Sequence, residues 1–220
     1  MRKNSVIVAA CLALVSGVAV ANPVGSLLNN VGLYGEYAGV SSQNGSSSGG
    51  VGARAEAYLD GVYGDADASY TPGSLNNTAS GNSADVNIKL GYGLPIGSSL
   101  VVGPYVGYQY LGITDQIYGD SATFSNNSLG GGVFAAWAPD SRWGVQAHIG
   151  YLAGVSASVS GTGGYDYGIQ SANLLDIGGE IDYRLSGPWS LFAGLRYAHY
   201  MESGASLNLI RGVIGASLAF

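Results

Sequence analysis

The residues of this chain that could do chemistry are few, and they recur at every second position. Arg54 and Glu56 are spaced this way, as are Asp65 and Asp67, and Glu180, Asp182 and Arg184. Glu36, Asp85, Lys89, Asp176, Arg196 and Arg211 sit in other stretches of the same alternation. A period of two is a strand period, so each set projects from one face of a sheet. Acids and bases gathered on such a face either pair as ions or line a polar passage, because an interior charge needs a partner. His148 and His199 are the two histidines and Cys11 is the one cysteine. Their spacing gives no metal set, thiolate nucleophile or disulfide frame, and no cofactor is implied. His199 stands in Arg196-Tyr-Ala-His199-Tyr-Met201, with Glu202 and Ser203 following. A hydrolytic histidine needs a nucleophile beside it, and Met201 is not one. No residue is therefore assigned as catalytic.

The elements that hold these residues follow from the ends of the chain and its composition. MRKNSVIVAACLALVSGVAVAN carries Arg2 and Lys3, then an apolar run, then Ala19-Val20-Ala21. This is the layout of a secretory signal peptide over residues 1–21, cut after Ala21. The mature chain, 22–220, is then a single domain. It keeps six of the eight basic residues against all fourteen acids and has no cysteine. That balance argues against nucleic acid as a partner. Gly is 37 of 220 residues, Tyr is 16, and 47% of the chain is hydrophobic. An exported chain that is apolar overall, yet lacks long apolar runs after its leader, matches a transmembrane β-barrel, in which apolar and polar residues alternate.

Ten strands are read, near 31–40, 51–59, 62–70, 84–94, 100–113, 128–138, 143–159, 174–185, 189–201 and 207–220. A misread hairpin would leave eight; twelve strain the length. Connections alternate between tight turns (Asp60-Gly61, Pro95-Ile96-Gly97, Pro139-Asp140, Gly187-Pro188) and longer Ser-, Asn- and Gly-rich loops. The expected fold is all-β: a closed antiparallel up-and-down transmembrane barrel with periplasmic tight turns and termini. On strand four, Ala84, Val86, Ile88, Leu90 and Tyr92 alternate with Asp85, Asn87, Lys89 and Gly91. A lipid-facing arginine near the midplane would cost roughly 2–4 kcal/mol, so the charged faces are assigned to the lumen. The lumen set is Glu36, Arg54, Glu56, Asp65, Asp67, Asp85, Lys89, Asp176, Glu180, Asp182, Arg184, Arg196 and Arg211. The charges of strands eight, nine, ten, one and two are expected to cross-link along one wall, facing a wall of Gly103, Gly107, Gly130, Gly132, Gly150, Gln109 and Gln146. His148 is read as a satisfied lumen histidine. Trp137, Trp143, Trp189 and Phe220 mark one aromatic girdle, and Tyr37, Tyr70, Tyr108, Tyr110 and Tyr197 the other.

The chain ends RGVIGASLAF, with Ile214, Ala216, Leu218 and Phe220 on one strand face. With these features it resembles the small bacterial outer-membrane β-barrel proteins. Gly215-x-x-Leu218-x-Phe220 is similar to their C-terminal assembly signal. The resemblance implies recognition by the barrel assembly machinery and periplasmic chaperones, closure of the last strand on the first, and a monomer in the outer-membrane lipid of a Gram-negative cell. Asp65-x-Asp67 resembles the acidic pair of the omptin proteases, but Ala198 precedes His199 where those have Asp. The region around His199 is superficially similar to that of the lipid A deacylases, and Met201 replaces the nucleophile. The leading expectation is an integral outer-membrane protein, either structural or a weakly conducting small porin with a salt-bridged lumen. The alternatives are a barrel that presents adhesive surface loops, among whose aromatics are Tyr118, Phe124, Tyr165 and Tyr167, and a lipid-modifying enzyme.

Overall fold

The alternation builds strands because each residue's side chain must leave the sheet on the face opposite its neighbour's. The computed structural model describes residues 23–40, 47–73, 80–117, 120–162, 164, 166–202 and 205–220. Residues 1–21, expected to be a signal peptide, and Tyr118, Tyr165 and Ser203 lie outside the described residues. A short helix, α1 (Pro23–Leu28), precedes β1 (Asn30–Val40), β2 (Ser47–Leu59), β3 (Val62–Pro72) and β4 (Ser80–Tyr92). Then come β5 (Leu94–Ile96), β6 (Leu100–Ile117), β7 (Asp120–Trp137) and β8 (Trp143–Gly161). The chain finishes with β9 (Asp166–Ile169), β10 (Asn173–Arg184), β11 (Trp189–Glu202) and β12 (Ala205–Ala219).

Ten of these strands form a closed antiparallel barrel. Each pairs with its neighbour, β8 pairs with β10, and β12 pairs with β1 from Asn30↔Ala219 to Val40↔Leu209. That last pairing hides the edge that an apolar terminal strand would otherwise leave open. β5 and β9 are short additions, on β6 and β8 respectively. The expected order of strands and tight turns is observed. The segment 114–127, read as a loop, is instead mostly strand: β6 runs on to Ile117 and β7 starts at Asp120. Cross-strand polar pairs hold this extension, including Thr114 with Thr123 at 2.9 Å and Ser125 with Ser158 at 3.1 Å. Pairs of this kind replace the apolar alternation on which the sequence reading relied.

The register of β7 on β8 shifts at Asn127/Ser128, where Asn127 faces Ser156 and Ser128 faces Gly154. The extra β8 residue is a bulge. It reverses the faces of the strand beyond it. Ala157 becomes buried and inward, while Ser156 and Ser158 turn outward beside Asn127 and Ser125. Simple parity from Val145 through Ala153 would have predicted the opposite.

At the β2–β3 turn both central residues have positive φ, 51° at Asp60 and 89° at Gly61, as a two-residue hairpin of this hand requires. A Cβ on Gly61 would also stand 2.7 Å from the Tyr92 ring. Gly61→Val should therefore lower stability by at least ~1 kcal/mol, read as a lower urea midpoint of the refolded barrel. Asp60→Asn should leave that midpoint nearly unchanged, since Asn tolerates the same backbone.

Candidate functional site: the barrel interior

Inward residues alternate with outward ones on every long strand, so the interior is assembled from all sides of the wall. It has three layers. The tight-turn end is apolar. Val24 and Leu28 of α1 are fully buried there against Tyr58, Tyr63, Val101, Tyr105 and Phe134. The far end is apolar as well. Ala38, Leu111, Ile113, Leu152, Leu174 and Leu209 meet there in one buried cluster that draws on opposite walls. The charged residues occupy the layer between.

Asp85, with no exposed side-chain surface, is the centre of that layer. It accepts Arg211 Nη1 at 3.0 Å, Arg196 Nη1 at 3.3 Å and Gln109 Nε2 at 2.6 Å. Gln109 accepts Arg196 Nη2 at 2.9 Å and donates to the Tyr200 hydroxyl at 2.9 Å. Arg196 Nε donates to Asp176 at 2.6 Å, and His148 Nε2 lies 3.2 Å from the other Asp176 oxygen. A second group joins Arg54 to Glu180 and, at 3.1 Å, to Asp182; the Arg54 guanidinium lies 3.6 Å from the Phe192 ring centroid. Lys89 pairs with Asp65 at 2.8 Å. The remaining inward acids use neutral donors. Tyr34 donates to Asp67 at 2.5 Å, Thr71 to Glu36, and Asn30 and Gln146 to Glu56 at 2.9 and 3.1 Å. A cavity of about 120 Å³ remains among these groups, room for a few waters.

Two expectations need correction. The ion pairs are not confined to the expected wall. Arg54 on β2 pairs with Glu180 and Asp182 on β10, and Arg196 on β11 with Asp176 on β10, all within it, but Arg196 and Arg211, on β11 and β12, also reach across to Asp85 on β4. The interior of a ten-stranded barrel is narrow enough for a guanidinium stem to span it. Nor is the interior polar throughout, since two apolar layers bracket the charges. Leu111 and Ile113 share parity with Gln109, Leu174 with Asp176, and Leu209 with Arg211, so the signal was present in the sequence. Helix α1 had no such signal. Arg184 is half-buried near the tight-turn end, away from the central pairs.

The outer wall carries aromatic side chains toward both of its ends. Trp137, Trp143 and Trp189 are exposed near the tight turns, and Trp143 packs on Tyr183 with centroids 4.7 Å apart. Tyr37, Tyr70 and Tyr108 are exposed toward the other end, where Tyr110 and Tyr197 are partly covered. Of the terminal signal residues, Leu218 faces outward, and the Phe220 backbone N–H donates to the Asn29 carbonyl at 3.2 Å. Gly215 has a packing reason of its own: a Cβ there would stand 2.5 Å from the Phe192 ring and 2.7 Å from Tyr34. His199 points outward, with Nδ1 2.5 Å from Asn208 Oδ1. Asp65 and Asp67 are interior and already partnered, which does not fit a protease pair.

No protein-family model matches the chain, and no curated protein matches it. Among solved structures, the outer-membrane protease OmpT of Escherichia coli superposes with a TM-score of 0.58 at 8% identity, over 87% of this chain and 94% of that one. Neisserial surface protein A gives 0.42 at 18% identity, over 87% and 96%. Ail, the attachment invasion locus protein of Yersinia pestis, gives 0.44 at 12% identity, over 87% and 99%. The OmpT superposition, with the closed ten-stranded antiparallel barrel, gives the fold as that of bacterial outer-membrane β-barrels. At 8% identity the OmpT match speaks to the fold alone.

Asp85→Ala would strand the buried Arg211 guanidinium and leave Arg196 with Asp176 as its one carboxylate partner, and should cost about 3–5 kcal/mol in the unfolding free energy of the refolded barrel. At the β7–β8 turn, the Asp140 carboxylate accepts the backbone N–H groups of Trp143 and Arg142, which hold it below the usual carboxylate range. A lowered native pKa contributes stability above the ordinary value of ~3.9 and loses it as pH falls through the native value. Asp140→Ala should therefore lower the urea midpoint at neutral pH, and the gap from wild type should narrow under strong acid.

Proposed function

We propose that the mature chain is an integral outer-membrane protein whose barrel is a closed structural element and not a solute pore. The observation that carries this is the layering of the interior. A charged layer alone would allow a weak, cation-favouring conductance. Here α1 with the aromatic layer fills one end, and the Leu111–Leu174–Leu209 layer fills the other. Hydrated ions do not cross dry apolar layers cheaply, because a buried charge must be paired or pay for its lost hydration. The outward apolar band between aromatic girdles supports residence in a bilayer. It spans ten residue steps on β7, from Trp137 to Asn127, about 25 Å at a rise of ~3.3 Å per residue and a tilt of ~40°. In this reading the tight turns face the periplasm, residues 1–21 are removed on export, and the β6–β9 extension stands outside the cell on a rigid base.

Planar-bilayer recording of the refolded mature chain tests it. The expected trace is silent for the wild type and also for a chain lacking residues 23–28, because the far layer stays intact. Adding Leu111→Ser and Leu174→Ser to that deletion should produce steady openings. Sustained conductance in the wild type would overturn the closed-barrel reading.

A further inference from the structure

The outer wall changes chemistry abruptly above its apolar band, and the change repeats around the barrel. Tyr197 donates to Asn208 at 2.7 Å and Tyr108 to Asn127 at 2.7 Å, while Tyr37 bonds Ser47. In each case a girdle hydroxyl reaches a polar residue two positions further from the tight turns on the neighbouring strand. Above this level β6, β7 and β8, of 18, 18 and 19 residues, outrun the other strands of the barrel, which have 11 to 15. Their outward face is a ladder of neutral pairs. Asn127 donates to Ser156 at 3.1 Å, Ser125 meets Ser158 at 3.1 Å and Thr114 meets Thr123 at 2.9 Å. Each hydroxyl pair uses one proton of two, so every rung keeps a donor and spare lone pairs for a ligand.

The β8 bulge creates this face. Without it Ser156 and Ser158 would point inward, and Ala157 and Val159 outward. The face is sparing of charge: among the described residues its ionic groups are Asp166 at the β9 edge and Asp120, which accepts from Thr162 at 3.0 Å at the tip. Every basic residue of the mature chain lies elsewhere. Arg54, Lys89, Arg196 and Arg211 are interior, and Arg142 and Arg184 are at the tight-turn end.

We infer that the outward face of the β6–β9 extension docks the neutral sugar residues of the glycolipid in the surrounding outer leaflet. The inference rests on the membrane reading above. Two observations select this occupant. The ladder continues the lipid-facing wall without a break, so it meets whatever stands directly above the acyl chains. Its chemistry is neutral donors and acceptors, which suits sugar hydroxyls and offers the lipid phosphates no cation to pair with.

The test compares two lipids with equal phosphates, one bearing its core saccharide and one stripped to the acylated anchor. Each is titrated against the refolded mature chain in detergent, and bound lipid is counted by native mass spectrometry. The saccharide-bearing form should be held about tenfold more tightly, the size of one or two neutral hydrogen bonds. The preference should not change with salt, since no charge is involved. Thr114→Val/Thr123→Val/Ser125→Ala/Ser158→Ala should bring it close to unity, and the milder Thr114→Val/Thr123→Val should reduce it in part. Equal retention of both lipids by the wild type, a preference unchanged in both variants, or salt-sensitive binding that ignores the saccharide would each overturn the inference. Vesicle insertion and heat-modifiable migration are measured alongside. A wild-type chain that fails to insert overturns the membrane reading itself, whereas an inserted barrel without the preference overturns only the saccharide surface.

Discussion

A buried carboxylate that must be shared is the constraint on which the rest of this barrel depends. Asp85 has no access to solvent and takes Gln109 from the adjacent strand β6 and Arg196 and Arg211 from β11 and β12 across the lumen. A charge so placed is tolerable only when its hydrogen-bonding capacity is met. Its donors are held in turn: Arg196 by Asp176, Gln109 by Tyr200, and Asp176 by His148. The network ties β4, β6, β8, β10, β11 and β12 together through the lumen, adding cross-links that the backbone ladder of a barrel cannot supply. Breaking a buried pair is far more damaging than never having built it, so the middle layer specifies the closed arrangement as much as it stabilises it.

The apolar layers make that network workable. Water entering from either end would screen the ion pairs and weaken them. Helix α1 and its aromatic partners stand on one side, and the leucine-rich cluster on the other. The glycine-lined wall also contributes. A Cβ at Gly150 would stand 2.2 Å from the Tyr105 hydroxyl, so the absent side chain is the space that Tyr105 fills. The interior is thus filled by side chains in depth, as narrow barrels generally are, with a cavity of about 120 Å³ left among the charges.

Much of the fold was legible in the residues. The terminal strand Val213–Ala219, the Asp60-Gly61 turn and the alternation on β4 and β10 obey local rules, because the face a side chain takes depends on its neighbours in sequence. The identity of the lumen set followed from the same parity. The apolar layers were legible in principle, from Leu111, Leu174 and Leu209 standing on the charged faces. They were masked by the conspicuous charges beside them. Helix α1 was not legible: six residues, PVGSLL, carry no complete period, and the helix exists because the barrel mouth buries Val24 and Leu28.

Sequence by itself determined which residues face in and which face out along each regular strand, where the tight turns fall, and that the chain is too poor in bases to coat a surface with charge. Tertiary structure alone decided which acid meets which base. Arg54 lies 126 residues from Glu180, and only the closure of β12 on β1 sets the width across which they meet. It also decided the outward serines of β8. One extra residue at a bulge reverses every side chain beyond it, and its presence is defined by the register of the partner strand β7, which no local pattern in β8 records.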